Sequence, residues 1–240
     1  MPRLDVLVTQ NGLAESRERA QALIIAGKVR VAGETERRPD RAVADGAVIT
    51  VDTEPQFASR GALKLGPALD RFGVDPTGRI CADIGASTGG FTDVLLRRGA
   101  ARVYALDVGR GLLHWRLRQD PRVVVIERVN ARAMETFPEP IDLVVIDVSF
   151  IGLEKVLPSV GRAAPGAQVV ALFKPQFQVE RGAVGKGGIV RDEAAVAAAM
   201  KSFRDWCAAN TFTMLAEAPS EVTGADGNRE IFVHLKPDYR

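Results

Sequence analysis

The stretch Ile80-Cys81-Ala82-Asp83-Ile84-Gly85-Ala86-Ser87-Thr88-Gly89-Gly90-Phe91-Thr92 decides how this chain is read. Residues 80–84 are apolar except for Asp83 and have strand character. Four small residues, Gly85, Ser87, Gly89 and Gly90, then turn the chain into a helix-like segment at 91–98. A strand, a small-residue turn and a helix form the opening unit of a doubly wound parallel sheet. Glycines there let the backbone approach a ligand, and the first amides of the helix point at it. The pattern is Asp-x-Gly-x-Ser-x-Gly-Gly, so Ser87 stands where the dinucleotide-binding Gly-x-Gly-x-x-Gly carries its middle glycine. A second strand-like run, 103–106, ends in Asp107, a carboxylate placed to accept hydrogen bonds from a ribose.

From residue 79 onward strands and helices alternate, which predicts an α/β, Rossmann-like fold. The strands are expected at 80–84, 103–107, 123–126, 143–147 and 169–173, with helices at 88–98, around 112–118, 131–136 and 153–163. A polar, glycine-rich loop follows at 175–188, and Pro175 should keep a helix from starting directly after the fifth strand. Then come a helix at 192–209 capped by Asp192 and two closing strands, 212–216 and 231–235. The expected sheet is five parallel strands ended by a hairpin. Upstream, residues 1–52 read as a separate small α+β domain with helices at 3–10 and after the N-cap Ser16, and strands at 29–31 and 47–51. Residues 53–60 read as a linker, and 61–240 as the larger domain, opening on a helix at 61–72 that carries Lys64 in its first turn.

The totals narrow the function classes. A hydrophobic fraction of 46%, a charged fraction of 26% and a net charge of +2 are those of an ordinary globular protein. Cys81 and Cys207 lack metal-ligand spacing, and only His114 and His234 are available, so zinc chemistry and histidine triads find little support. The start, MPRLDVLVTQNG, has no apolar run of the kind a signal peptide needs, and no stretch is apolar enough to span a membrane. The expectation is a soluble cytoplasmic protein with reduced thiols, no membrane partner and no required metal.

In open α/β sheets ligands bind beyond the carboxyl ends of the strands. The groups expected there are Asp83 with the turn Gly85, Ala86, Ser87, Thr88, Gly89, Gly90 and Phe91, then Asp107, Asn130, Asp147 and Lys174. Glu230 opens the last strand. An acid before the turn and a second one after the next strand resemble an S-adenosylmethionine (SAM) site more than a nicotinamide site. Lys64, Asp147, Lys174 and Glu230 occur in the order Lys-Asp-Lys-Glu, which resembles the tetrad of FtsJ-like RNA 2′-O-methyltransferases. The closer resemblance is to the TlyA family of hemolysin-type ribosomal RNA 2′-O-methyltransferases. It rests on Ser59–Leu65 (SRGALKL), Gly85–Thr92 (GASTGGFT), Asp147–Phe150 (DVSF), Lys174–Phe177 (KPQF) and Gly227–Glu230 (GNRE), and it covers essentially the whole chain. The family implies SAM bound by Asp83, the 85–91 turn, Asp107, Asn130 and Asp147, and catalysis by the tetrad. A 2′-hydroxyl is a weak acid, so the reaction needs in-line placement and removal of one proton. A lysine serves as base when burial or nearby positive charge favours its neutral form. Lys174 is the candidate, with Asp147 orienting it and Lys64 and Glu230 holding the ribose.

In the N-terminal segment, Arg3-Leu4-Asp5, Ser16-Arg17, Ala20, Leu23-Ile24, Gly27-Lys28-Val29, Val31 and Gly33 resemble the small RNA-binding module of ribosomal small-subunit protein four. That resemblance implies a basic face of Arg3, Arg17, Arg19, Lys28 and Arg30 against the RNA backbone. In the larger domain Arg60, Arg181 and Lys186 are the expected phosphate contacts, while Trp115 reads as packing. The implied partner is ribosomal RNA or a ribosomal subunit, with cytidine as the target nucleoside. Two rivals stand beside this reading. One is a membrane-active hemolysin, disfavoured because no long amphipathic helix with a basic face is present. The other is a non-catalytic SAM-binding assembly factor, disfavoured by the complete tetrad.

Overall fold

The computed structural model describes residues 1–44, 46–52, 57–180, 182, 184–224 and 226–238, and the chain divides into two units, Met1–Gln56 and Phe57–Arg240. In the first unit, apolar residues at helical spacing form α1 (Leu4–Gln10) and α2 (Arg17–Ile25). Their buried Leu4, Val8, Ala20 and Ile24 pack on Val29, Val31 and Val43. Ser16 caps α2 by accepting a hydrogen bond from the Arg19 amide at 3.1 Å. A three-stranded antiparallel sheet follows, with β1 (Val29–Val31) between β2 (Glu34–Glu36) and β3 (Ile49–Val51). The sequence reading missed β2 because Glu34-Thr35-Glu36 has no apolar alternation. What makes it a strand is the two-residue turn Ala32-Gly33, with φ of 51° and 87°, whose twist matches a tight hairpin.

The second unit is a seven-stranded sheet. Its strands are β4 (Ile80–Ile84), β5 (Arg102–Asp107), β6 (Val123–Glu127), β7 (Leu143–Ile146), β8 (Gln168–Phe173), β9 (Phe212–Pro219) and β10 (Ile231–Pro237). They lie in the order β6-β5-β4-β7-β8-β10-β9, the first five parallel and β10 antiparallel to both its neighbours. The central strands are buried on both faces, as their unbroken apolar runs require. In β7, Leu143 and Val145 face one core with the helices α3 (Ala62–Phe72) and α4 (Gly90–Arg97). Val144 and Ile146 face the other, with α6 (Leu157–Ala163) and α7 (Glu193–Ala209).

Several elements differ from expectation. The helix expected at 131–136 is a single 3-10 turn, Ala131–Ala133, and the one around 112–118 shrinks to α5 (Trp115–Arg118). Gly109 and Gly111 precede α5, and their hydrogen bonds to Asp107 and Glu127 hold that stretch as a loop. The segment 153–163 breaks into a 3-10 turn, Leu153–Lys155, followed by α6 with Pro158 in its first turn. Pro175 does not delay helical structure: it opens the 3-10 turn Pro175–Phe177 directly after Lys174, because a first-turn proline has no amide to satisfy. Trp115 is not core packing, since the residue is 60% exposed.

Candidate active site

The order of the parallel strands reverses between β4 and β7, and that is where a crevice opens. Gly85 leaves β4 with φ 84°, and a Cβ placed on it would lie 2.5 Å from the Asp147 carbonyl oxygen at the end of β7. Only glycine lets the two strand ends approach this closely. Ser87 occupies the left-handed region at φ 49°, the conformation a glycine would supply, and its amide donates to Asp107 Oδ2 at 2.8 Å. The other Asp107 oxygen accepts from the Gly109 amide at 2.7 Å. One carboxylate thereby ties the loop after β4 to the loop after β5. Gly90 begins α4 against α3, where an added Cβ would lie 2.9 Å from the Ala62 nitrogen.

Two cavities meet at this crevice. The larger, about 500 Å³, is walled by Gly85, Ser87, Asp107, Asn130, Asp147 and Phe150 among others, over an apolar floor that includes Ile84, Leu106 and Val129. The smaller, about 260 Å³, is lined by Ser59, Arg60, Lys64, Lys174 and Thr223 and by turn residues Ala86, Thr88, Gly90 and Phe91. Gly85, Ser87, Asp147 and Ser149 belong to both walls. The helices and strands that carry the four tetrad positions place them in two couples. Lys174, at the end of β8, has Nζ 2.6 Å from Asp147 Oδ1. That oxygen makes no hydrogen bond of good angle, so the contact is an ion pair. The same Nζ donates to Ser149 Oγ at 3.0 Å. Lys64, on α3, donates to Glu230 Oε2 at 2.5 Å, and this second couple is almost wholly buried, the two side chains 11% and 2% exposed. Lys64, Asp147 and Lys174 line the smaller cavity, and Glu230 stands behind Lys64.

Other expected residues lie elsewhere. Asp83 is fully buried and Gly89 lies behind the wall; neither lines a cavity. Thr92 donates its hydroxyl to Asp83 Oδ2 at 2.6 Å, and Oδ1 has no hydrogen-bond partner among the described residues. Burial pushes the Asp83 carboxyl up to about 7, against the pull of the Thr92 hydrogen bond and with help from the charges of Asp147 and Asp107. Asn130 lines the larger cavity while its Oδ1 accepts from the Arg132 amide at 3.0 Å.

Of the expected phosphate contacts, Arg19, Lys28 and Lys186 are exposed, and Arg60 is an exposed residue on the wall of the smaller cavity. Arg181 lies outside the described residues. Arg3 and Arg17 are turned onto the buried Asp5, their Nε atoms 3.1 Å and 3.0 Å from its oxygens, with Gln21 completing the set at 2.7 Å. The Arg3 hydrogen bonds hold the Asp5 carboxyl far below the usual carboxylate range. Arg30 pairs with Asp52 at 3.2 Å.

Two residues that the sequence shows only as part of the motif Asp147–Phe150, with no role assigned, line the site. Ser149 bonds Lys174, and Phe150 is 90% exposed at φ 65°, its ring 5.3 Å from Phe177. The available signal was a serine and an aromatic directly after a strand-end acid. Burial pushes the Cys81 and Cys207 thiols up to about 12. Among the described residues no cluster of three or more His, Cys, Asp or Glu side chains is placed to hold a metal, and no helix is long and apolar enough to cross a membrane.

Comparison with known proteins places this geometry. Residues 57–237 match the FtsJ-like methyltransferase family and residues 2–49 match the S4 domain. The 16S/23S rRNA (cytidine-2′-O)-methyltransferase TlyA of Mycobacterium tuberculosis is 47% identical over 98% of this chain and 89% of its own length. Hemolysin A of Brachyspira hyodysenteriae is 41% identical over 97% of this chain and 99% of its own. A solved Streptococcus thermophilus structure, provisionally assigned as a hemolysin, shares 40% identity at a TM-score of 0.74, covering 98% of this chain and 88% of that one. The chain therefore belongs to the TlyA family of FtsJ-like methyltransferases that carry an S4 domain.

Proposed function

We propose that the protein methylates the 2′-hydroxyl of a ribose, that of a cytidine, in ribosomal RNA, using SAM. The observation that carries the reading is Lys174, paired to Asp147 on the wall shared by two cavities at the switch point of the sheet. The family relationship supports the reaction class, and the cytidine-2′-O-methyltransferase name of the Mycobacterium relative supports the cytidine.

The residues fit the cofactor. A cavity of about 500 Å³ is of the size that small ligands occupy, and it combines an apolar floor with Asp107 and Asn130 as polar anchors. Asp107 would hold the ribose hydroxyls and Asn130 the adenine edge, with Gly85 giving close passage beside Asp147. When bound, SAM supplies a methyl group on a sulfonium, an electrophile that needs no metal to activate its leaving group. The protein supplies position and a proton acceptor. Lys174 takes the 2′-hydroxyl proton, and Asp147 holds the amine and places negative charge beside the cationic donor. The buried Lys64–Glu230 couple fixes the wall against which the ribose seats. Phe150, an aromatic ring standing in solvent at the mouth, offers a face for a base. The S4 unit supplies RNA affinity through Arg19 and Lys28, with Arg3 and Arg17 presenting the parts of their guanidinium groups not spent on Asp5.

Tritiated methyl transfer from SAM to purified ribosomal subunits tests the reading, with wild type beside Lys174→Ala and Asp147→Ala. Label in alkali-resistant dinucleotides, lost by about a hundredfold or more in both variants, is expected. Undiminished transfer by Lys174→Ala would remove Lys174 as the base. Absence of label on either subunit, with SAM binding intact, would remove the substrate.

A further inference from the structure

The geometry points to Ser149 as a positioning residue that aims the Lys174 lone pair at the substrate hydroxyl, an inference that rests on Lys174 being the base. Ser149 sits two residues past Asp147 in the loop that follows β7, and its hydroxyl oxygen accepts a hydrogen bond from Lys174 Nζ at 3.0 Å. Asp147 contacts the same nitrogen at 2.6 Å. Both residues line both cavities. One short loop therefore presents two oxygens to one amine at the boundary where donor and acceptor must meet.

The consequence follows from the tetrahedral nitrogen. A lysine amine ready to accept a proton has two N–H bonds and one lone pair. With one N–H donated to Ser149 Oγ and a second drawn toward the Asp147 carboxylate by its charge, the lone pair has a single direction left. Asp147 alone, an ion pair without an aligned hydrogen bond, leaves the amine free to rotate about its Cε–Nζ bond, so that the lone pair sweeps a cone and faces the hydroxyl only part of the time. A second acceptor removes that freedom. In the transfer itself the O–H bond of the ribose breaks toward Nζ as its oxygen forms the new bond to the methyl carbon and the carbon–sulfur bond breaks. The products are a 2′-O-methyl ribose, a neutral thioether and an ammonium whose three N–H bonds face Asp147, Ser149 and the methylated oxygen. Ser149 then accepts from a charged donor, an interaction stronger than one with the neutral amine, so it favours the product side of the proton transfer.

The backbone supports this role. Phe150, the next residue, adopts φ 65°, a left-handed conformation that an aromatic residue rarely takes, and strain of this kind collects where a side chain must be aimed. Ser149 itself is exposed and lies outside the buried core, so stability gives little reason for its bond to Lys174.

The test uses the full-length protein with ribosomal subunits as methyl acceptor. Ser149→Ala is expected to lower kcat about tenfold, with KM for SAM and for subunits within about twofold of wild type. Ser149→Thr, which keeps the hydroxyl, is expected to recover kcat to within about threefold of wild type. A Ser149→Ala enzyme with undiminished kcat overturns the proposal, as does a Ser149→Thr enzyme no better than the alanine variant, or a loss confined to KM. Lys174→Ala, assayed in parallel, separates the two levels. If it is inactive while Ser149→Ala is fully active, only the positioning role fails. If Lys174→Ala is active, the base assignment fails and the role of Ser149 with it.

Discussion

Replacing Asp83 by asparagine should change how the stability of the larger unit depends on pH. The carboxyl is fully buried, with one oxygen on Thr92 and the other without a hydrogen-bond partner among the described residues. Its value rises from 3.8 to about 7, desolvation being the largest cause. Below about 3.8 the folded and unfolded states both carry the proton. Between that value and about 7 the folded state keeps a proton the unfolded state has released, so stability falls as pH rises through this window. Above it the loss is complete. A shift of about three units corresponds to about 4 kcal/mol, an upper figure because a buried site relaxes when it ionises. The amide of the variant has no proton to release. The unfolding free energy of Asp83→Asn relative to wild type should therefore climb by up to about 4 kcal/mol from pH ~4 to pH ~8, whatever constant offset the amide introduces. Urea titrations followed by tryptophan fluorescence measure it, since both tryptophans, Trp115 and Trp206, lie in the unit Phe57–Arg240. A difference that stays flat across the window, or one that falls with pH, would refute the reasoning.

Gly85→Ala should destabilise the larger unit by about 2–4 kcal/mol and abolish SAM binding by calorimetry, because φ is 84° and the new Cβ would lie 2.5 Å from a backbone oxygen that cannot swing away. Phe150→Ala should lower kcat/KM for ribosomal RNA by about tenfold, the worth of one stacking contact, without lowering the urea midpoint, because the residue is 90% exposed; an unchanged kcat/KM would remove it from substrate binding. Native protein should give no reaction of Cys81 or Cys207 with a thiol reagent near pH ~8 and should react at both on unfolding, since both are buried with thiols pushed up to about 12.

The chemistry of this protein was legible locally and its geometry was not. Ile80–Thr92 announces a strand, a tight small-residue turn and a helix because each depends on neighbours in sequence: apolar alternation, small residues, an amphipathic run. The alternation after residue 79 requires a parallel sheet, since each strand must be followed by a crossover. Lys174 betrays itself by ending five apolar residues with a charge. Where long-range packing decides, the sequence was silent or misleading. That Lys64 meets Glu230 and Lys174 meets Asp147 depends on α3 lying against the start of β10, and on β8 lying beside β7. Asp83 reads as a ligand group in one dimension, yet the turn after it folds so that the carboxyl points into the protein and meets Thr92. Arg3 and Arg17 read as free cations, and the tertiary fold spends part of each on Asp5. Ser149 and Phe150 carry no periodicity of their own, and only the meeting of β7 with β8 puts one on the Lys174 amine and leaves the other standing in solvent. Residue type and spacing thus specify which groups exist and which element carries each. The distances between groups far apart in the chain come from the packing of whole elements and are set only when the core closes.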